Sequence, residues 1–204
     1  MAWDTERTKQ LLLDAAVQEF AEYGPEGARV DRIARLAGVN KERIYQYFGN
    51  KEQLFGHVID QELAKVMAVA SPAPENCADL GEFAGQLFDW HAANPTFLRL
   101  LRWEGLLVQE QPTAQDATRA AYYAERVAAI ARAQHTGAIG GELPPQHLLY
   151  GVFALSAWWF AAPKVIAMVM SGLPQDDHAS RRAALVTMAR RLGAVTPEPP
   201  AAAG

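Results

Sequence analysis

The stretch VDRIARLAGVNKERIYQYFGNK, residues 30–51, leaves the chain few folds to choose from. Val30, Ile33, Ala34 and Ala37 recur at i, i+3, i+4 and i+7, so the spacing predicts a short helix with one apolar face, and Arg32 and Arg35 stand on the other. Gly38 supplies the left-handed position at which a helix stops and turns. Asn40 is a good N-cap for a second short helix from Lys41 to about Tyr47. Two short helices joined by a tight Gly-containing turn, the second exposing polar side chains, form the helix-turn-helix pattern, whose second helix enters the DNA major groove.

Charge supports this reading once it is mapped along the chain. The whole sequence carries a net charge of -4. Between Arg29 and Lys51, however, Arg29, Arg32, Arg35, Lys41, Arg43 and Lys51 face only Asp31 and Glu42, a local excess of +4. Phosphates meet the local charge, and an acidic remainder disfavours indiscriminate DNA binding.

The rest of the chain reads as helical, since no stretch sustains two-residue alternation with strand-type residues. A first helix is expected from Asp4 or Thr5 to Tyr23, with Leu12, Ala16 and Phe20 in one row, Leu13 and Val17 beside it, and Gly24-Pro25 as its stop. Asn50 with Gln53 resembles a capping box opening a fourth helix that carries Leu54, Phe55, Val58, Ile59 and Val66 inward. Pro72 and Pro74 mark a hinge loop. Beyond it, Asp79 to His91 is amphipathic, Asn94-Pro95 opens a helix through Leu107, and Thr113 with Asp116 opens an Ala-rich helix to His135. Leu148 to Ala162 is apolar all round but shorter than the roughly 20 residues a bilayer span needs. It is expected to be a buried or intersubunit helix. A last helix, about Asp177 to Leu192, directs Leu185, Met188, Ala189 and Leu192 inward, and the tail from Thr196 lacks the apolar content to pack.

The resulting division is a helix-turn-helix domain over residues 1–50, a connecting helix over 51–71, an effector and dimerisation domain over 72–195, and a disordered tail over 196–204. With half the residues hydrophobic, the larger part can bury a substantial core. Cys77 is the single cysteine, which excludes an intramolecular disulfide. The start, MAWDTERTKQ, shows no apolar export segment, so a cytoplasmic location is the expectation.

Residues 7–54 resemble the TetR family of transcriptional regulators. The matching positions are Leu12, Ala15-Ala16, Phe20 and Gly24, then Ile33-Ala34, Ala37-Gly38-Val39, Ile44-Tyr45, Tyr47-Phe48, Lys51-Glu52 and Leu54. The resemblance implies an all-α homodimer with an N-terminal three-helix DNA-binding domain, joined by a fourth helix to a C-terminal bundle that holds a small effector. Effector binding would change the spacing of the two DNA-reading heads and release the operator. Two positions depart from the family pattern. Arg29 stands where Ser or Thr caps the second helix, and Glu42 stands where a small residue is common. A guanidinium reaches a phosphate but cannot accept helix N–H groups. Glu42 must accept from cytosine N4 or pair with Arg43 or Lys41.

The expected DNA-binding set follows. Arg43 has the planar donors that match guanine, and Gln46 can make the bidentate pair to adenine. Tyr47 and Lys51 match family positions that hold phosphates, Arg29 can reach a phosphate and Asn40 can donate to one, and Lys41 and Glu42 complete the DNA-binding set. Tyr45 either stacks on DNA or packs against the first helix. In the C-terminal half, Phe88, Phe97, Trp103, Tyr122, Tyr123 and Trp158 supply aromatic surface for an apolar effector site, and His91 and Glu104, polar residues in apolar rows, are candidates to orient the ligand. The resemblance places the dimer face on the last two long helices. An alternative keeps the DNA reader but makes the bundle a dimerisation or protein-docking module without an effector.

No paired Ser/His/Asp or Cys/His signature and no phosphate-binding glycine loop occurs, and His57, His91, His135, His147 and His178 are too scattered for a metal site. Neither enzymatic chemistry nor a cofactor is expected, and neither is a membrane partner. The expected partners are a double-stranded DNA operator, a second copy of the chain and a small effector.

Overall fold

The computed structural model describes residues 2–69, 79–107 and 114–195. Every regular element among the described residues is a helix: α1 (Ala2–Gly27), α2 (Val30–Ala37), α3 (Glu42–Phe48), α4 (Lys51–Val69), α5 (Leu80–Ala93), α6 (Pro95–Leu106), α7 (Ala114–His135), α8 (Pro145–Ala161), α9 (Pro163–Val169) and α10 (His178–Leu192). The expected hinge at Pro72 and Pro74, the Thr113 cap and the tail from Thr196 lie outside the described residues. The chain forms two compact units, Met1–Ala68 with His91–Asp116, and Val69–Trp90 with Ala117–Gly204. In this grouping α4 belongs with the first three helices rather than standing apart as a connector, and α6 joins them.

In the first unit, Leu12, Ala16 and Phe20 of α1 are fully buried, together with Ile33 of α2, Ile44 of α3, and Leu54 and Val58 of α4. Phe20 and Phe55 meet edge to face with centroids 5.0 Å apart. Each of the larger buried side chains stabilises the fold by roughly 1.5–3 kcal/mol relative to exposure, so this row decides how α1 seats the other helices. Leu13 and Val17 are only half-buried; Ala15 and Glu19 take the inward positions beside the row. The helix breaks at Gly24, as its sequence predicts, but resumes for one turn to Gly27. Gly24 adopts φ 67°, ψ 173°, and the Trp103 ring of α6 lies so close that a Cβ there would come within 2.8 Å of it. Glycine is required at this position twice over, for its left-handed backbone and for the approach of the indole.

The second unit is held by apolar packing and by an ionic seam. Leu80, Phe83, Ala84, Leu87 and Phe88 of α5 are buried, as are Leu148, Val152 and Trp159 of α8 and Leu185, Val186 and Ala189 of α10. Arg182 of α10 donates to Asp89 at 2.7 Å and Glu82 at 3.3 Å, and Arg190 donates to Asp79 at 2.8 Å. A Cβ on Gly81 would meet the Val186 carbonyl at 2.7 Å, so a glycine there is what lets α10 lie this close to α5. Asp79 also accepts from the backbone of Gly81 and Glu82, capping α5, and the Arg190 guanidinium holds its carboxyl below the usual carboxylate range. Asp177 and Ser180 form a capping box at the start of α10. Met188 and Leu192, expected inward, are 38% and 37% exposed. Among the described residues no single helix is long and apolar enough to cross a membrane; α8 and α9 together have the length and composition but bend by 94° at their junction.

Candidate nucleic-acid interface

The turn between α2 and α3 is built by local hydrogen bonding. Gly38 ends α2 at φ 66°, ψ 28°, and the Val39 N–H reaches back to the Ala34 carbonyl at 3.0 Å. Asn40 does cap α3: its Oδ1 accepts from the Glu42 N–H at 3.1 Å, and its carbonyl accepts from Arg43 at 3.0 Å. Ile44 and Phe48, one turn apart and buried, seat α3 against the bundle. With that face inward, Glu42, Arg43, Tyr45 and Gln46 are exposed and Tyr47 is half-buried. Asn50 and Gln53 exchange the two bonds of a capping box, at 2.8 and 3.2 Å, and open α4 beside this face.

The polar side chains of this face are tied to one another. Arg43 Nη1 donates to Gln46 Oε1 at 2.8 Å. The guanidinium of Arg43 lies 6.0 Å from the Tyr47 ring centre, and Lys9 Nζ lies 5.8 Å from it. Lys41 pairs with Asp31 at 3.1 Å, which raises its pKa, so the pairing of Lys41 with Glu42 considered from sequence is not the one formed. Glu42 instead stands 3.5 Å from Asn40 Nδ2. Lys51 directs Nζ to the carbonyls of Glu26 and Ala28 at 3.3 and 3.4 Å, which fixes it at the end of α1.

Arg29 is exposed and extended at the N-terminus of α2, with no side-chain cap bond. What secures it is a residue the sequence reading passed over. Glu19, 2% exposed, accepts from the Arg29 N–H at 2.8 Å and from Arg32 Nε at 2.7 Å. Arg32 also donates to the Gly27 carbonyl at 2.8 Å and lies 4.2 Å from the Tyr23 ring centre, so it braces α2 against α1. The signal was available: Glu19 falls in the inward row after Leu12 and Ala16, where a carboxylate needs a cationic partner.

The candidate effector residues divide between the two units. In the first, His91 is buried and stacks on buried Phe97 with ring centres 5.9 Å apart, and burial pushes its pKa down to about 4. Trp103 closes on Gly24, and a groove of about 400 Å³ beside it is lined by Ala21, Glu22, Arg99, Arg102 and Leu106. Glu104 is half-buried, and Arg99, one turn before the Trp103 position on the same helix, reaches Glu22 at 3.5 Å. In the second unit Phe88 is packed among Trp159, Phe160 and His178. Tyr122 and Tyr123 meet edge to face, Tyr123 also meets Phe153, and the Arg126 guanidinium lies 3.2 Å from the Tyr122 ring centre. Burial pushes the Tyr122 hydroxyl up to about 12. Trp158 is 56% exposed on an apolar groove of about 530 Å³ with Tyr150, Ile166, Met170 and Met188.

Comparison with known proteins bears on both halves of the chain. Residues 12–58 match the family described as bacterial regulatory proteins, tetR family, and residues 79–191 match the tetracyclin repressor-like C-terminal domain. HTH-type transcriptional repressor SCO4008 of Streptomyces coelicolor is 38% identical over 171 residues, 84% of this chain and 88% of that one. HTH-type transcriptional regulator RutR of Escherichia coli K12 is 30% identical over 176 residues, 82% of this chain and 81% of that one. Among solved structures, SCO4942 of Streptomyces coelicolor superposes with a TM-score of 0.77 at 34% identity, covering 91% of this chain and 97% of that one. FadR of Bacillus subtilis, solved in complex with stearoyl-CoA, shares the fold with a TM-score of 0.65 at 16% identity over 88% of this chain and 96% of that one. The helix-turn-helix thus stands in the setting that two sequenced regulators share over more than four-fifths of this chain, and the protein belongs to the TetR family of DNA-binding transcriptional regulators.

Proposed function

We propose that this regulator is a repressor that binds a palindromic operator as a homodimer and leaves it when a small apolar or aromatic effector binds the bundle. The observation that carries the DNA half is the exposed face of α3, where Arg43 and Gln46 stand clear of the buried Ile44 and Phe48. Arg43 and Gln46 are the base readers; Arg29, Asn40, Tyr47 and Lys51 hold the backbone, and Tyr45, 53% exposed, is free to lie against the sugar-phosphate edge. One short helix reads only a few base pairs, so a twofold dimer is the economical reader. The dimer face is assigned to α8 and α10, where Tyr150, Trp158, Met188 and Leu192 are exposed.

Selection of bound DNA from a random library by the purified protein tests this directly. Enrichment of an inverted repeat supports the dimeric reader; a bound site without twofold symmetry removes it. Effector binding rests on the aromatic cluster of Tyr122, Tyr123 and Phe153. A bundle that only dimerises or docks a protein is favoured by one observation, that Phe88, His91 and Phe97 are packed to within 1%, 6% and 3% exposure. Titration of the operator complex with apolar and aromatic compounds separates the two: release by a compound that also raises the melting temperature supports the sensor.

A further inference from the structure

Arg43 and Gln46 do not face solvent as independent side chains. The bond from Arg43 Nη1 to Gln46 Oε1, 2.8 Å long and one turn along α3, runs across the face assigned to base reading. From this geometry we infer that the two act as one donor-only reading unit, so that the base pair beneath Gln46 is chosen for acceptors and not for adenine. The inference rests on the base-contact reading of α3 given above.

A glutamine recognises adenine by accepting from N6–H with its oxygen while its amide nitrogen donates to N7. Here that oxygen is already bonded to a cation. The guanidinium withdraws electron density from its second lone pair and makes the amide N–H a stronger donor. It also sets N–H donors beside the place an adenine or cytosine amino group would occupy, donor against donor. The Arg43 edge formed by Nε and Nη2 stays available for guanine O6 and N7, since a guanidinium has five N–H donors and the bond to Gln46 uses one. Two adjacent bases with acceptor edges, guanine first and guanine or thymine next, match the unit. Gln46 read alone suggests adenine; Gln46 bonded to Arg43 does not.

Selection from a random DNA library with wild type, Arg43→Ala, Arg43→Met and Gln46→Ala tests the coupling. Both side chains are exposed, and Arg43→Met keeps the helix propensity of the position should the alanine variant fold poorly. The expected result is that wild type prefers guanine or thymine at the base pair whose preference Gln46→Ala abolishes. Either Arg43 variant should then shift that pair toward adenine by about tenfold, the scale of one good base contact, while losing guanine at the neighbouring pair. Should wild type already prefer adenine at the Gln46 pair, or should both Arg43 variants leave its preference unchanged, the coupling is overturned and the base-reading role stands. Enrichment of the same sequences by Gln46→Ala and wild type would instead remove Gln46 as a reader, and the inference with it.

Discussion

Glu19 shows how one carboxylate takes over work that a cap residue leaves undone. The N-terminus of α2 lacks Ser or Thr, and Arg29 offers no acceptor; the acceptor arrives from α1, bonded to the Arg29 N–H and to Arg32. Removing a buried partner strands the other charge, a loss of about 3–5 kcal/mol in a dry interior. Arg32 retains 27% exposure, so for Glu19→Leu a loss of about 2–3 kcal/mol in urea unfolding is expected. The double variant Glu19→Leu with Arg32→Leu should recover part of it, because an apolar pair replaces an ionic one; an unchanged urea midpoint for the single variant would contradict the account. His91 makes a second residue-scale prediction. Its pKa falls to about 4 in the folded state against an ordinary 6.5, so the unfolded chain binds the proton more readily. Stability is therefore full above pH 6.5 and declines as pH drops toward 4, by roughly 3 kcal/mol in all. In His91→Leu, melting curves between pH 4 and 6.5 should lose this slope.

At the scale of elements, the angle between helices is set by glycines whose surroundings differ. Gly38 and Gly24 have nearly the same φ, 66° and 67°. Nothing lies within 4 Å of a Cβ added at Gly38, whereas one added at Gly24 meets the Trp103 ring at 2.8 Å. Gly38→Ala should therefore cost about 1 kcal/mol, the backbone penalty alone. Gly24→Ala should cost more than about 2 kcal/mol, because its ψ of 173° lies outside the left-handed helical well that Gly38 occupies at ψ 28° and because the new Cβ must also push α6 from α1. Equal losses for the two in chemical denaturation would contradict both the backbone and the indole argument. Trp103, offered from sequence as an effector contact, acts here as the surface that receives the end of α1.

For the whole molecule, the basic excess and the exposed apolar groove belong to different units. A chain of net charge -4 carries its basic excess between Arg29 and Lys51, and two of those six cations, Arg32 and Lys41, are already paired with carboxylates. The attraction to DNA is correspondingly weaker than a count of cations suggests, which places more weight on fit. In the second unit, Tyr150 is 70% exposed, Trp158 56% and Met188 38%, around an apolar groove of about 530 Å³. Trp158→Glu combined with Met188→Glu should convert a dimer into a monomer at micromolar concentration by light scattering, and weaken operator binding with it. A variant that remains dimeric would move the interface elsewhere.

Much of the DNA-binding half was legible because its determinants are local. A glycine at the end of an apolar period, an Asx residue before the next helix and the Asn50–Gln53 box each act within four residues, and each is observed. The helical class of the remainder followed from periodicity for the same reason. What only the tertiary structure decided is how the side chains are spent. Arg32 and Lys41 look alike in the sequence as cations for DNA, yet Glu19 and Asp31 claim them. Phe88, Trp103 and Trp158 look alike as aromatics for a ligand, yet one fills a core, one closes on Gly24 and one stays exposed. The partners lie on other helices, brought near by packing, and local spacing along the chain carries no record of that distance.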